Sequence, residues 1–309
     1  MRHGRIESLG VSLPRRRLLG WGSHRHAVEA GKRCLAASRY RPSDVRVLVN
    51  AGVYRDGHVC EPAIAAYVQH ALGVNVDFHG RRTLSFDLLN GGVGMLNAAH
   101  LLVSQMHAGE IQVGMVVASD ANPDRRPDPG SAVAASGAAL LLDLSPRNGA
   151  GFGAFAFVTR EESADLYTAV VSLKEPRGKL LIRRRVELEE LPRGKLLIRR
   201  RVELEEAFLA GAAATAKAVL ERDGLRPEDV DLVVPSQVSA SFLARLPGAL
   251  GLPREKVADY ASVLPDTPTT SVFLAFDRAR AEGALGPGRT ALLLACGSGV
   301  TVGAATYRF

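Results

Sequence analysis

Asn90-Gly91-Gly92-Val93-Gly94 joins a short alternating run starting at Thr83 to a long apolar one ending at Val103. The first run reads as a strand, and the second reads as a helix that starts at a glycine turn. Unpaired N–H groups at a helix start carry the positive end of the dipole, so they can hold a developing negative charge or lower the pKa of a nucleophile. The turn itself offers neither thiol nor hydroxyl. Either it is a packing loop or it is a reaction scaffold without its reacting group. Asn90 and Gly91, together with Gly297-Ser298-Gly299 near the C-terminus, are the candidates for a backbone anion cradle, although a tight hairpin explains the second group equally well.

Nucleophiles must be sought elsewhere. Cys60 lies beside Glu61, and Ser236 with Asp266 and one of His58, His79 or His100 has the types needed for a nucleophile, a base and an orienting acid. Such a set would transfer an acyl group or hydrolyse a thioester, but the spacing alone does not bring these residues together. The three cysteines, Cys34, Cys60 and Cys296, are too far apart for a paired metal or disulfide framework. His24 and His26, at i and i+2, do not share a helix face. Neither a metal nor a cofactor is expected.

The elements that must position these groups alternate between strand and helix. The first half is expected to run through a strand Arg5 to Leu13, a helix Ser23 to Ser38, a buried strand Val45 to Ala51 and a helix Glu61 to Leu72 with Pro62 in its first turn. The central strand and helix follow, then strands Ile111 to Ser119, Ser131 to Leu144, Phe152 to Thr159 and Tyr167 to Leu173. The second half opens on a helix Val202 to Arg222 and a strand Asp231 to Pro235. It closes on a helix Thr269 to Glu282, a strand Thr290 to Ala295 and a last strand Val300 to Tyr307.

Two kinds of repeat stand out. Arg226-Pro227-Glu228-Asp229-Val230 precedes an apolar strand just as Arg41-Pro42-Ser43-Asp44-Val45 does, and Ala71-Leu72-Gly73 is echoed by Ala249-Leu250-Gly251. One order of helix, turn, strand and helix in both halves suggests a duplicated architecture. The second repeat is literal: residues 176–190 read PRGKLLIRRRVELEE, and residues 192–206 read the same letters again. Two copies are too few for a solenoid. Only the second flows into the following helix, since Pro192 stops the first, so either one copy holds the native place and the other is extruded, or the segment extends as an arm, with its arginines as a solvated face. The expected division is therefore 1–174, a duplicated linker 175–206, and 207–309.

With 309 residues, 47% of them hydrophobic and 23% charged, the chain has the balance of a globular protein able to bury a large core. No run approaches the roughly 18 apolar residues of a membrane span, and a cytoplasmic location is expected. The net charge of +7 favours an acidic partner such as coenzyme A phosphates or an acidic carrier protein. Aromatic residues, at 6%, are not interleaved with the arginines as base stacking requires, which argues against nucleic acid.

Several phrases in this order, FDLLNGGVG, VVPSQVS, DTPTTS and the C-terminal GSGVTVGAATYRF, resemble the thiolase-fold condensing enzymes. The likeness is to 3-oxoacyl-ACP synthase III and to the thiolases that join two acyl chains head to head. It spans nearly the whole chain outside the duplicated insert. The resemblance implies an α/β, five-layered αβαβα fold of two similar halves, usually dimeric, with an acyl tunnel that takes acyl-CoA or acyl-carrier protein in fatty-acid or polyketide-type metabolism. It also implies a cysteine at the start of the central helix and a histidine and an asparagine from the second half, because a thiolate must attack the thioester while donors steady the oxyanion. Those three places fall on Gly92, or on Val93 if the turn is shifted by one, on Ser236 and on Asp266. Glu61 matches a glutamate that the head-to-head thiolases lend to the neighbouring subunit as a base; a favourable charge near a helix start, beside Pro62, explains it equally well. The expectation is a degenerate synthase III-like subunit, in a homodimer or paired with an active paralogue. The alternatives are a relocated nucleophile at Ser236 or Cys60, and a simple acyl-CoA or acyl-carrier binder.

Overall fold

The computed structural model describes residues 3–14, 22–59, 61–76, 82–124, 127, 130–147, 149–172, 195–265 and 267–309. The elements of the first part are β1 (Gly4–Ser12), α1 (Ser23–Ala37), β2 (Val47–Asn50), α2 (Ile64–Ala71), β3 (Leu84–Asp87), α3 (Gly94–His107), β4 (Gly114–Asp120) and β5 (Ser136–Leu144). The second part contains β6 (Gly151–Thr159), β7 (Tyr167–Ser172), β8 (Lys195–Arg200), α4 (Leu204–Arg222), β9 (Leu232–Pro235), α5 (Ala240–Leu250), α6 (Ser271–Ala281), β10 (Thr290–Gly297) and β11 (Thr301–Arg308).

The strand order is β1-β5-β4-β2-β3 in one sheet and β6-β11-β10-β9 in the other. The first four strands of each correspond. β1 and β6 lie antiparallel to β5 and β11, which lie antiparallel to β4 and β10, which in turn run parallel to β2 and β9. The duplication read from the two Pro-Asp turns is thus a duplication of sheets. Both turns also close alike: Asp44 Oδ2 accepts from Arg41 N and Asp229 Oδ2 from Arg226 N, each at 2.9 Å. Val45 and Val230 behind them are fully buried.

Period-two alternation builds the layers. Ala138, Leu140 and Leu142 of β5 face a central core with α3 and α6, while Ala139 and Leu141 face the outer core under α1 and α2. In β10, Leu293 and Ala295 face the same centre, whereas Leu292, Leu294 and Cys296 face the outer core under α4 and α5. Helices, sheet, helices, sheet, helices make five layers, and α3 starts between the two sheets. Among the described residues no helix is long and apolar enough to cross a membrane.

Several boundaries differ from the sequence reading. The strand Phe152 to Thr159, assigned to the first half, pairs as β6 with β11. β5 is flanked by β1 and β4 and leaves no edge for it. Pairing therefore starts the second set at Gly151 rather than after residue 206. The helix expected from Glu61 begins at Ile64, because the Asp87 carboxylate at the end of β3 takes the N–H groups of Ile64 and Ala65 at 3.0 and 2.9 Å and so caps it there. Pro62 therefore precedes α2 instead of occupying its first turn. The second copy of the literal repeat supplies β8, which pairs with β7, and the first turn of α4; the first copy lies outside the described residues.

Candidate functional site

The turn before α3 opens onto a cavity of about 580 Å³ between the two halves. Its lining includes Gly91 and Gly92, Ser236 to Ser239 after β9, Thr267 and Pro268 before α6, and Cys296 to Gly299 at the β10–β11 hairpin. Of the expected anion cradle, Gly91, Gly297, Ser298 and Gly299 therefore meet at one wall. Asn90 is not part of the lining, and its side-chain amide instead donates to Asn97 Oδ1 at 2.7 Å along the helix.

Gly92 is buried, and it is crowded by main chain. A Cβ placed there would lie 2.2 Å from the Cys296 carbonyl oxygen and 2.8 Å from that of Pro268. Unstrained non-bonded heavy atoms keep roughly 3.5 Å apart, so in this backbone position 92 has no room for a side chain. Gly91 has φ +48° and its own Cβ would meet Ser298 Oγ at 2.9 Å. The turn before α3 thus presents main chain to the cavity.

Both oxygens are held in place. Cys296 N donates to Ser236 Oγ at 3.0 Å, and Ser236 N donates to Leu294 O at 2.8 Å, so Ser236 knits β9 to the end of β10. The Pro268 turn is tied to the first half through Asp120 at the end of β4. Asp120 Oδ2 accepts from Thr267 Oγ1 and from Thr269 N, and Oδ1 from Thr269 Oγ1, all at 2.7 Å. Asp120 is fully buried, and burial pushes its carboxyl above the usual carboxylate range.

No histidine lines this cavity among the described residues. His58 faces Asp124 at 4.0 Å. His100 stacks on Phe155 with ring centroids 4.7 Å apart. Ser236 therefore has neither as a base beside it. Cys296 does reach the cavity, but burial pushes its thiol up to about 12, and among the described residues no side chain accepts a hydrogen bond from it. Cys34 is likewise raised to about 12 and sits in the outer core near Ser8. Cys60, His79 and Asp266 lie outside the described residues. Glu61 is exposed and does not line the cavity.

Residues 220–309 match the family model of the 3-oxoacyl-[acyl-carrier-protein] synthase III C-terminal region. A beta-ketoacyl-[acyl-carrier-protein] synthase III of Erythrobacter litoralis is 28% identical over 297 residues, 92% of this chain and 83% of that one. The chain is thus similar to the 3-oxoacyl-ACP synthase III family, through its C-terminal region in the family model and along most of its length in this relative. Beta-ketoacyl-[acyl-carrier-protein] synthase III 3 of Streptomyces coelicolor is 42% identical over 90 residues, 29% of this chain, and the match spans about a quarter (27%) of that relative's length. The fold agrees with the crystal structure of 3-oxoacyl-(acyl carrier protein) synthase III from Pseudomonas aeruginosa, with TM-score 0.81 and 21% identity over 100% of this chain and 98% of that one. It agrees also with OleA from Xanthomonas campestris bound to lauric acid and lauroyl-CoA, with TM-score 0.79 and 18% identity over 99% of each chain.

In this synthase III-like chain the cavity has neighbours that sequence reasoning missed. Tyr54, Tyr167 and Glu205 line it, and the rim carries Arg200 and Arg201. The two arginines, expected as a solvated face of the repeat, are indeed exposed, yet Arg201 pairs with Asp165 at 2.7 Å and Arg200 lies over the Tyr167 ring. Glu205, from the same repeat, accepts from Ser239 Oγ at 2.5 Å, while Ser239 Oγ caps α5 by accepting from Phe242 N. The one signal available for Tyr54 was a lone aromatic residue in the small-residue stretch after a buried strand.

Proposed function

We propose that this chain is an acyl-binding, non-condensing synthase III-like subunit that pairs with an active relative and shapes its acyl site. The reading takes Gly92, Ser236 and Asp266 as the places of the family's cysteine, histidine and asparagine, and it takes Glu61 as a base offered across the interface. The observation that carries it is the crowding at Gly92, where two main-chain oxygens occupy the space a thiol-bearing side chain would need. Two features support it further. Ser236 is engaged in holding Cys296, and Glu61 stands exposed, outside its own cavity. The ligand class rests on the largely apolar cavity, the cationic rim, and the acyl-carrier and acyl-CoA names of the relatives. A cytoplasmic pair with closed two-fold geometry follows from the same likeness.

The test is co-expression with a cysteine-bearing relative, followed by the native mass of the complex and mass spectrometry after exposure to acyl-CoA. A mixed dimer in which only the relative is acylated is expected. A solitary chain with turnover of its own, or an acyl adduct on Ser236 or Cys60, would replace this reading by the relocated-nucleophile alternative.

A further inference from the structure

Two phenols meet inside the cavity. Tyr54 stands on the loop after β2, Tyr167 opens β7, and their hydroxyl oxygens are 2.5 Å apart. Both residues line the cavity, and Tyr54 is only 7% exposed, packed with Val133, Leu196 and Ile198. Each phenol has one proton to donate and lone pairs to accept. If Tyr167 were the donor, the proton of Tyr54 would need another acceptor; among the described residues its hydroxyl has Tyr167 as its hydrogen-bond partner, and a buried donor left unmade costs about 1–3 kcal/mol. Tyr54 therefore donates to Tyr167, and burial together with this bond raises the pKa of Tyr54, so that it keeps its proton.

Tyr167 then has its own proton left over on the cavity side. A hydroxyl that accepts one hydrogen bond becomes a better donor in the next. The Arg200 guanidinium, 5.7 Å from the Tyr167 ring centroid, draws electron density the same way. The pair thus delivers one strengthened, uncharged donor into a largely apolar space, which suits a carbonyl oxygen.

We propose that Tyr167, polarised by Tyr54, is the hydrogen-bond donor that holds the carbonyl oxygen of an acyl thioester in this cavity. The inference rests on the acyl-binding reading above and assigns the recognition of the acyl group to residues outside the Gly92 turn. No bond is made or broken: the ligand is held by its carbonyl.

The experiment compares lauroyl-CoA with S-dodecyl-CoA, a thioether with an alkyl chain of the same carbon number and no carbonyl, by calorimetric titration of the full chain. The native protein is expected to bind the thioester about tenfold more tightly than the thioether. Tyr167→Phe should remove about that tenfold from the thioester and leave the thioether unchanged. Tyr54→Phe should cost the thioester a smaller factor, about two- to threefold, with the same selectivity. Both variants keep the ring, so packing is retained, and their melting temperatures check it. Equal weakening of both probes, or no change in either, overturns the assignment while acyl binding stands. If the native chain binds neither probe, the acyl-binding reading falls and this inference with it.

Discussion

Replacing Gly92 by alanine adds one carbon to the floor of the cavity, and the surroundings have no slack to take it. The new Cβ would approach the Cys296 carbonyl oxygen to 2.2 Å and the Pro268 oxygen to 2.8 Å, so one or both must retreat by about 1 Å to reach an ordinary separation. Neither is the loose end of a side chain. Cys296 is paired with Val302 across the hairpin and tied through its N–H to Ser236, and the Pro268 turn is fixed by the Asp120 bonds from Thr267 and Thr269. Overpacking against main chain costs typically 1–3 kcal/mol, and with two pinned oxygens the upper end applies, about 3 kcal/mol. For a chain of this size that corresponds to a fall in Tm of roughly 5–10 °C. Gly92→Cys should lose at least as much and should remain unacylated by acyl-CoA. Gly248→Ala in α5 is the control: a Cβ there meets nothing within 4 Å, so it should gain about 0.5–1 kcal/mol from helix propensity. Thermal denaturation of the three variants, with mass spectrometry of the cysteine variant, reads the outcome. Native Tm for Gly92→Ala together with an acylated Gly92→Cys would refute the steric argument and reopen a condensing role.

Other outcomes follow from the same contacts. Asp87→Ala should cost about 3–5 kcal/mol in urea unfolding, because it uncaps α2 and strands the buried Arg55 guanidinium, which lies 2.7 Å from Asp87 Oδ2. Ser236→Ala should cost about 1–3 kcal/mol by leaving the buried Cys296 N–H unpaired, with no change in acyl labelling. His26 is buried in α1 with Ser12 Oγ 2.9 Å from its Nδ1, and burial lowers its pKa. The unfolded chain therefore takes up that proton first, and stability falls as pH drops below about 6.5; the urea midpoint of His26→Gln should lose less between pH 7 and 5.5 than the native one.

Much of the architecture was legible because it is local. The Asp44 and Asp229 turns close on the backbone three residues earlier, so matching letters meant matching structure. Near-continuous apolar runs mark β5 and β10 as strands, and both are buried on their two faces. Pro192 disqualified the first copy of the repeat from entering α4, and the second copy does enter it. Where the reading slipped, a distant partner was responsible. Helix α2 starts at Ile64 because Asp87, 23 residues further on, reaches back to cap it. β6 left the first half because its pairing edge, β11, comes at the end of the chain.

By itself, the sequence determined most of the elements, the duplication and the absence of a thiol or hydroxyl from the Asn90–Gly94 turn, since these depend on residue identity and short-range backbone chemistry; β8 was not among them. Only the tertiary structure decided that the Cys296 and Pro268 carbonyls close over Gly92, that no histidine stands beside Ser236 among the described residues, and that Tyr54 meets Tyr167 across 113 residues of chain. Those facts are set by how two sheets pack around α3, and no local pattern encodes a distance between segments that touch only once the core has formed.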